Sequence, residues 1–258
     1  MRSDKLSKID DKCKELNRWF HDYVKSFYTN DAEVQRAMLM KEEHTSYVRD
    51  VARLLALHLK FSPHDATLAE IMGVLHDVGR FRQFTVYKTF NDAQSCEHAE
   101  MGLRVMDDEQ LLDGFPDDDA SLIRFAIQNH NKKVIAPAPS ERALLFAKLL
   151  RDADKLDIYR VLEPFIGPPD GTGVSPDFRT RFVSGEQVDY TLIRTQDDRK
   201  LVRLMWVYDV NFVWTLRRIV ERGYIEKIID NLPHGDDEIK KGIVRLRAYV
   251  EQRLKEDK

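Results

Sequence analysis

Three fragments of the chain carry side chains able to do chemistry: E-H-T at His44, L-H-D-V-G-R with His76 and Asp77, and R-D-A-D-K-L-D at 151–157. Two more histidines fall between them, His98 in C-E-H-A-E-M-G and His130 in I-Q-N-H-N-K. Their neighbours matter more than their number. His44 lies between Met40 and Val48, His76 follows Met72 by one turn, and His130 follows Leu122, Ala126 and Ile127. On helices these spacings put the imidazoles on inward, apolar stripes. Polar groups that face inward need partners. Imidazoles and carboxylates brought in by successive helices can satisfy one another around a metal ion. Taken singly, an inward histidine is more often hydrogen-bonded core than ligand. His58 follows Val51, Leu54 and Leu55 and receives no role; His21, His64 and His234 read as structural or solvated. The ordered set His, His-Asp, His, His, Asp, spread over roughly 110 residues, is far more specific.

Imidazole and carboxylate ligands together suit Mn, Fe, Ni, Co or Zn, and ligand type does not choose among them. Cys13 and Cys96 stand in no metal-binding spacing, which argues against a thiolate zinc site and reads as reduced thiols. A phosphate ester beside such a centre needs cations. Arg80 and Arg82 follow the His-Asp pair, where a helix is expected to run into a loop. Lys132 and Lys133 follow His130, and Lys155 follows Asp154. Arginine grips phosphate with a bidentate fork. Arg80, Arg82, Lys132 and Lys133 are the expected substrate contacts, and Asp77, Arg80 and Lys155 the expected catalytic group. Phe84, Tyr87 and Phe90 are of a type that stacks on a base or packs the core.

The elements that must position these residues are helical nearly throughout. Apolar spacing near 3.6 predicts helices over 5–28 and 32–59. Ser62-Pro63 starts a third, with Gly79 at its end. A loop is expected over R-F-R-Q-F-T-V-Y-K-T-F-N-D-A-Q-S, then helices from near Ser95, from the acidic run Asp117–Asp119, and from Ser140-Glu141 to Leu162. The stretch 163–190 holds much of the Gly and Pro and reads as an irregular connection. Leu201 to Ile219 reads as one long amphipathic helix and 235–256 as a last, charged one. T-R-F-V-S-G and Y-T-L-I-R-T are the one candidate hairpin. The fold class is all-α, with a core at 1–165 and further helices at 166–258.

At 258 residues, 43% hydrophobic and 33% charged, the chain can bury a sizeable core and is not disordered in composition. A net charge of −3 gives no general pull toward nucleic acid, and no basic stripe or reader motif appears. The N-terminal M-R-S-D-K-L-S-K-I-D has no apolar run, and no stretch approaches the ~18 apolar residues of a spanning helix. These features fit a cytoplasmic protein with no membrane partner, with homo-oligomer formation left open.

From about Val34 to Leu162 the ordered set resembles the HD-domain superfamily of metal-dependent phosphohydrolases. The resemblance implies a bundle of about five helices around a buried metal, with additional C-terminal helices here. It implies His44, His76, Asp77 and a late Asp as ligands of a first ion. The family's A-D-x-L pattern falls on Ala153-Asp154-Lys155-Leu156, so the resemblance selects Asp154 over Asp152 and Asp157; periodicity does not, because 143–150 is apolar on nearly all sides. In two-metal members two intervening histidines hold the second ion and the Asp of the pair bridges both, which implies His98, His130 and Asp77. Some one-metal nucleotidase members carry a glutamate where this chain has Arg80, so here activation of water is expected to rest on metal. The implied activity is hydrolysis of a phosphoester or phosphoanhydride in a nucleotide or other small phosphorylated substrate. The same six ligands also resemble HD-type diiron oxygenases, and a non-catalytic nucleotide-binding module is the third reading.

Overall fold

The structure, a computed structural model, describes residues 2–186 and 192–256, with side chains from Lys8 onward. It divides into two compact units, Met1–Asp157 and Ile158–Lys258. The described residues contain no strand, so the fold is all-α. No helix among them is long and apolar enough to cross a membrane.

The first unit is built on helices α1 (Arg2–Lys25), α2 (Ala32–His58), α3 (Pro63–Leu75), α4 (Val78–Tyr87), α5 (His98–Asp108), α6 (Asp117–Asn129) and most of α7 (Glu141–Leu162). The Asp31 carboxylate accepts from the backbone amides of Glu33 and Val34 and so starts α2. Ser62 does the same for α3, with Pro63 in the first turn, as the sequence predicts. Helix α3 is apolar on all sides, and every residue from Ala66 to Leu75 except Glu70 is buried. It is therefore the centre of the unit, with α1, α2 and α6 packed on it. Gly73 sets the approach of α2: a Cβ there would lie 2.6 Å from Arg49 Cα. Phe20 and Tyr23 of α1 and Phe27 just beyond its end surround Phe81 of α4 with ring centroids 5.9–6.0 Å apart. Tyr23 Oη donates to Val78 O at 3.2 Å. These contacts anchor the start of α4, one residue beyond Asp77.

Two local expectations are corrected here. The segment following Gly79 is helical as far as Tyr87 rather than a loop. Val78, Phe81 and Phe84 recur every three residues and all three are buried, so a short inward stripe outweighs the polar residues between them. Gly79 does not end α3, which stops at Leu75. It lies in the first turn of α4, where a Cβ would come 2.3 Å from His98 O and 2.5 Å from Gly102 N. Its missing side chain lets α4 and α5 touch backbone to backbone.

The second unit holds the last residues of α7, then α8 (Pro176–Ser184), α9 (Gln196–Met205), α10 (Val213–Glu221), α11 (Tyr224–Asp230) and α12 (Asp237–Lys255). The 163–190 stretch is thus partly ordered as α8, which packs on α12. Thr180–Ser184 is helical, not a hairpin strand, and Tyr190 and Thr191 lie outside the described residues. Thr195 instead caps α9 in a reciprocal capping box with Asp198. The helix expected across Leu201–Ile219 is broken by a 3-10 turn at Trp206–Asp209 and extended residues at Val210 and Phe212. The run V-Y-D-V-N-F-V is rich in β-branched, aromatic and Asn/Asp residues of low helix propensity.

Candidate metal centre

Six helices, α2 to α7, bring the ligand-type side chains to one place in the first unit. His44 comes from the inward stripe of α2. His76 and Asp77 form the corner between α3 and α4. His98 opens α5, His130 follows the last turn of α6, and Asp154 comes from α7. His44, His76, Asp77, His98 and His130 are all buried.

Asp77 divides the site in two. Its Oδ2 faces His44 Nε2 at 3.5 Å and His76 Nε2 at 3.7 Å. Asp154 Oδ1 completes this first cluster, 3.1 Å from His44 Nε2 and 3.8 Å from His76 Nε2. Asp77 Oδ1 faces the other way, 3.4 Å from His98 Nε2 and 3.8 Å from His130 Nε2. His44, His76 and Asp77, and separately Asp77, His98 and His130, bring their ligand atoms within 4.8 Å of one another.

Every imidazole is held from behind through Nδ1. His76 donates to Gly73 O at 2.8 Å and His130 to Ile127 O at 2.6 Å. His44 Nδ1 meets Asp157 Oδ2 at 2.8 Å, and His98 Nδ1 meets Asp92 Oδ2 at 2.6 Å. On a neutral imidazole such outer acceptors keep the proton on Nδ1 and leave the Nε2 lone pair facing inward. The consequence is sharpest between His98 and His130, whose Nε2 atoms are 2.9 Å apart. Two lone pairs at that distance repel unless a cation is shared between them. Burial pushes His98 down to about 4, so at neutral pH its own Nε2 carries no proton. A divalent metal ion fits these donors in both type and direction.

The first cluster makes the same case through charge. Burial pushes His76 down to about 4, leaving a neutral ligand. Burial and Lys41 act to lower His44, yet the carboxylates of Asp154, Asp157 and Asp77 outweigh them and raise it to about 10. Burial opposes the charge on Asp77, but Lys41 and the surrounding imidazoles hold its carboxyl well below the usual range. Asp154 is held down likewise, by His44 above all, against the effect of burial. The cluster therefore carries excess carboxylate charge that a cation neutralises.

Asp154, not Asp157, faces the Nε2 atoms; Asp157 stands behind His44, and Asp152 is buried elsewhere on α7. Of the cations, Arg80 is brought in. Its Nε lies 3.5 Å from Asp77 Oδ1, and its Nη1 donates to Gln83 Oε1, Phe90 O and Asp92 Oδ1 at 2.8, 2.6 and 2.7 Å. It thereby braces Asp92, which in turn holds His98. Lys155 is buried one residue beyond Asp154. Arg82 is not brought to the cluster: on helical α4 its guanidinium meets Asp108 at 2.7 Å. Lys132 Nζ is 2.6 Å from Glu97 Oε2, and Lys133 is exposed. Lys132 and Asn131, which donates to Glu97 Oε1 at 2.6 Å, tie the end of α6 to the residue before His98.

Several participants escaped the sequence reading. Asp92 lies in a short 3-10 turn with no periodic signal. Arg151 is a buried cation on α7 whose Nη1 donates to the carbonyls of Asn129, His130 and Lys132, fixing the chain that carries His130. Lys41 Nζ lies 2.6 Å from Asp77 Oδ2; its place three residues before His44 on the same helix face was the available signal. Neither cysteine joins the clusters, and burial pushes the Cys13 thiol up to about 12, away from thiolate chemistry.

The backing carboxylates make a selective prediction. Asp92→Asn and Asp157→Asn should each weaken metal binding about 10- to 100-fold. The first change should act on the His98–His130 cluster and the second on the His44–His76 cluster. Metal titration followed by elemental analysis checks this; equal loss from both clusters in either variant would contradict the division of Asp77.

Residues 42–159 match the family model of the HD domain. No curated protein and no solved structure matches the chain. All six converging side chains fall inside the matched segment, which is similar to the HD domain, a family whose members are in general metal-dependent phosphohydrolases.

Proposed function

We propose that this protein hydrolyses a phosphoester or phosphoanhydride bond in a nucleotide or another small phosphorylated metabolite. The observation that carries the reading is the division of the Asp77 carboxylate between two imidazole pairs, each backed by its own acceptors. His44, His76, Asp77 and Asp154 would hold one divalent ion, and Asp77, His98 and His130 a second. Bound there, such ions supply Lewis acidity, lowering the pKa of water toward neutrality and polarising a phosphoryl oxygen.

The chain's own residues do the rest. The Nδ1 contacts fix each imidazole, so the ligands need little reorganisation. Asp77 keeps the two clusters at a set separation. Arg80 takes the place of the glutamate that some one-metal relatives use, and adds positive charge beside Asp77 Oδ1. Two divalent ions would outweigh the two carboxylates that touch them, so the occupied site is cationic and matches a phosphoryl anion better than a neutral polyol.

The test is a panel of nucleoside mono-, di- and triphosphates and sugar phosphates, assayed with Mn, Fe, Co, Ni, Zn or Mg against an Asp77→Ala control. Release of phosphate or pyrophosphate that is lost in the control is the expected result. Absence of turnover on every substrate with every metal would overturn the proposal.

A further inference from the structure

Beside the metal centre stands a cation that coordination of an ion does not use. Lys41 extends from α2 to place Nζ 2.6 Å from Asp77 Oδ2, the oxygen that faces the first cluster. Its side chain is 14% exposed, against 3% for Asp77, so it reaches nearer to solvent than that carboxylate. The ammonium also lies 5.4 Å from the centroid of the Phe90 ring. Phe90 is half-buried, packs on Phe84 at 4.6 Å and gives its carbonyl to Arg80. An ammonium has three donors. One goes to Asp77, and the other two meet no acceptor among the described residues. Arg80 is held more firmly, with its Nη1 donating to three acceptors, although its buried Nε makes no hydrogen bond.

Charge decides what those free donors are for. When a divalent ion shares Asp77 Oδ2, ammonium and ion are like charges a few ångströms apart in a poorly solvated place and repel. Swinging Lys41 wholly into water would lift it off Phe90. An anion lying across both centres removes the conflict without that movement. A phosphoryl group suits the task, since it has several anionic oxygens on one small atom: one can face the ions while another accepts from Nζ. A neutral hydroxyl offers no such charge.

We propose that Lys41 binds the phosphoryl group of the substrate, donating from Nζ to a non-bridging oxygen while the two clusters hold the other side. The assignment rests on the phosphohydrolase reading and adds to it the residue that selects an anionic substrate.

The experiment uses full-length protein saturated with Mn and takes inorganic phosphate as the probe, with binding measured by calorimetry and metal content by elemental analysis. Lys41→Gln should keep the wild-type number of ions and lose about 10- to 100-fold in phosphate affinity, the loss of one charge-assisted hydrogen bond. Lys41→Arg should retain most of it. Unchanged phosphate affinity in Lys41→Gln overturns the proposal and makes Lys41 a tether of Asp77, especially if metal affinity rises in the same variant. A wild-type holoprotein that binds no phosphate overturns the phosphohydrolase reading itself, and Lys41 with it. Should Lys41→Gln not be recovered folded, acylation of wild-type lysines by an amine-reactive ester, followed by mass spectrometry, carries the test. Phosphate should slow modification of Lys41 in the Mn-loaded protein, and an unaltered rate overturns the proposal.

Discussion

Asp77→Ala should strip metal from both clusters at once and lower any phosphohydrolase turnover by about a thousandfold or more, since a catalytic metal supplies several kcal/mol of transition-state stabilisation. No other ligand has this reach, because only Asp77 presents one oxygen to each imidazole pair. His76→Ala should impair the first cluster and His130→Ala the second, each leaving part of the metal content. The loss in Asp77→Ala should also appear in stability. An ion present at about 100 times its dissociation constant stabilises the folded state by roughly 2.7 kcal/mol. Thermal melts with and without added Mn should therefore separate clearly for wild type and coincide for Asp77→Ala. Elemental analysis, melts and turnover must agree. Two ions per chain retained in Asp77→Ala would refute the bridging role whatever the activity.

Gly79→Ala is expected to have the second largest effect, through packing. In an ordinary helix interior this substitution stabilises by up to ~1 kcal/mol, because alanine has the higher helix propensity. Here the sign should reverse. The added methyl would meet His98 O at 2.3 Å and Gly102 N at 2.5 Å, and both are backbone atoms that cannot swing aside. Overpacking of this kind costs about 1–3 kcal/mol, occasionally more. A net loss of about 2 kcal/mol should lower the melting temperature by roughly 4–8 °C for a chain of this size. The α5 backbone must move away to relieve the clash, and His98 is the first residue of α5. Metal binding at the His98–His130 cluster should weaken more than at the His44–His76 cluster. Gly167→Ala is the control: a Cβ there meets nothing within 4 Å, and a change within about 0.5 kcal/mol is expected. If the two variants melt together, α4 and α5 do not pack as described.

Much of this was legible in the sequence. The 3.6-residue stripes marked the helices, and placing His44, His76 and His130 on those stripes marked them as inward-facing. Caps at Ser62-Pro63 and in the Asp117–Asp119 run placed helix starts within a residue or two of those observed. Periodicity did less well where an element was short or interrupted. Helix α4 has only three buried apolar positions at its spacing, so its polar residues read as loop; the break at Trp206–Asp209 sits inside an unbroken apolar rhythm.

Which partner each inward side chain meets was decided by tertiary structure alone. Periodicity states the face a residue occupies on its own helix; it carries no information on which helix lies opposite. His44 meets Asp157 across 113 residues, and Lys41 meets Asp77 across 36. Such pairs exist only after the chain has closed those loops. The same holds for the two directions of the Asp77 carboxylate, for Asp92 behind His98, and for the commitment of Arg82 to Asp108 on the outer side of α4. The residue types and their order established that a metal could be held; the packing of α3, α4 and α5 around Gly79 and Asp77 determined where, by which atoms, and with Lys41 against Asp77.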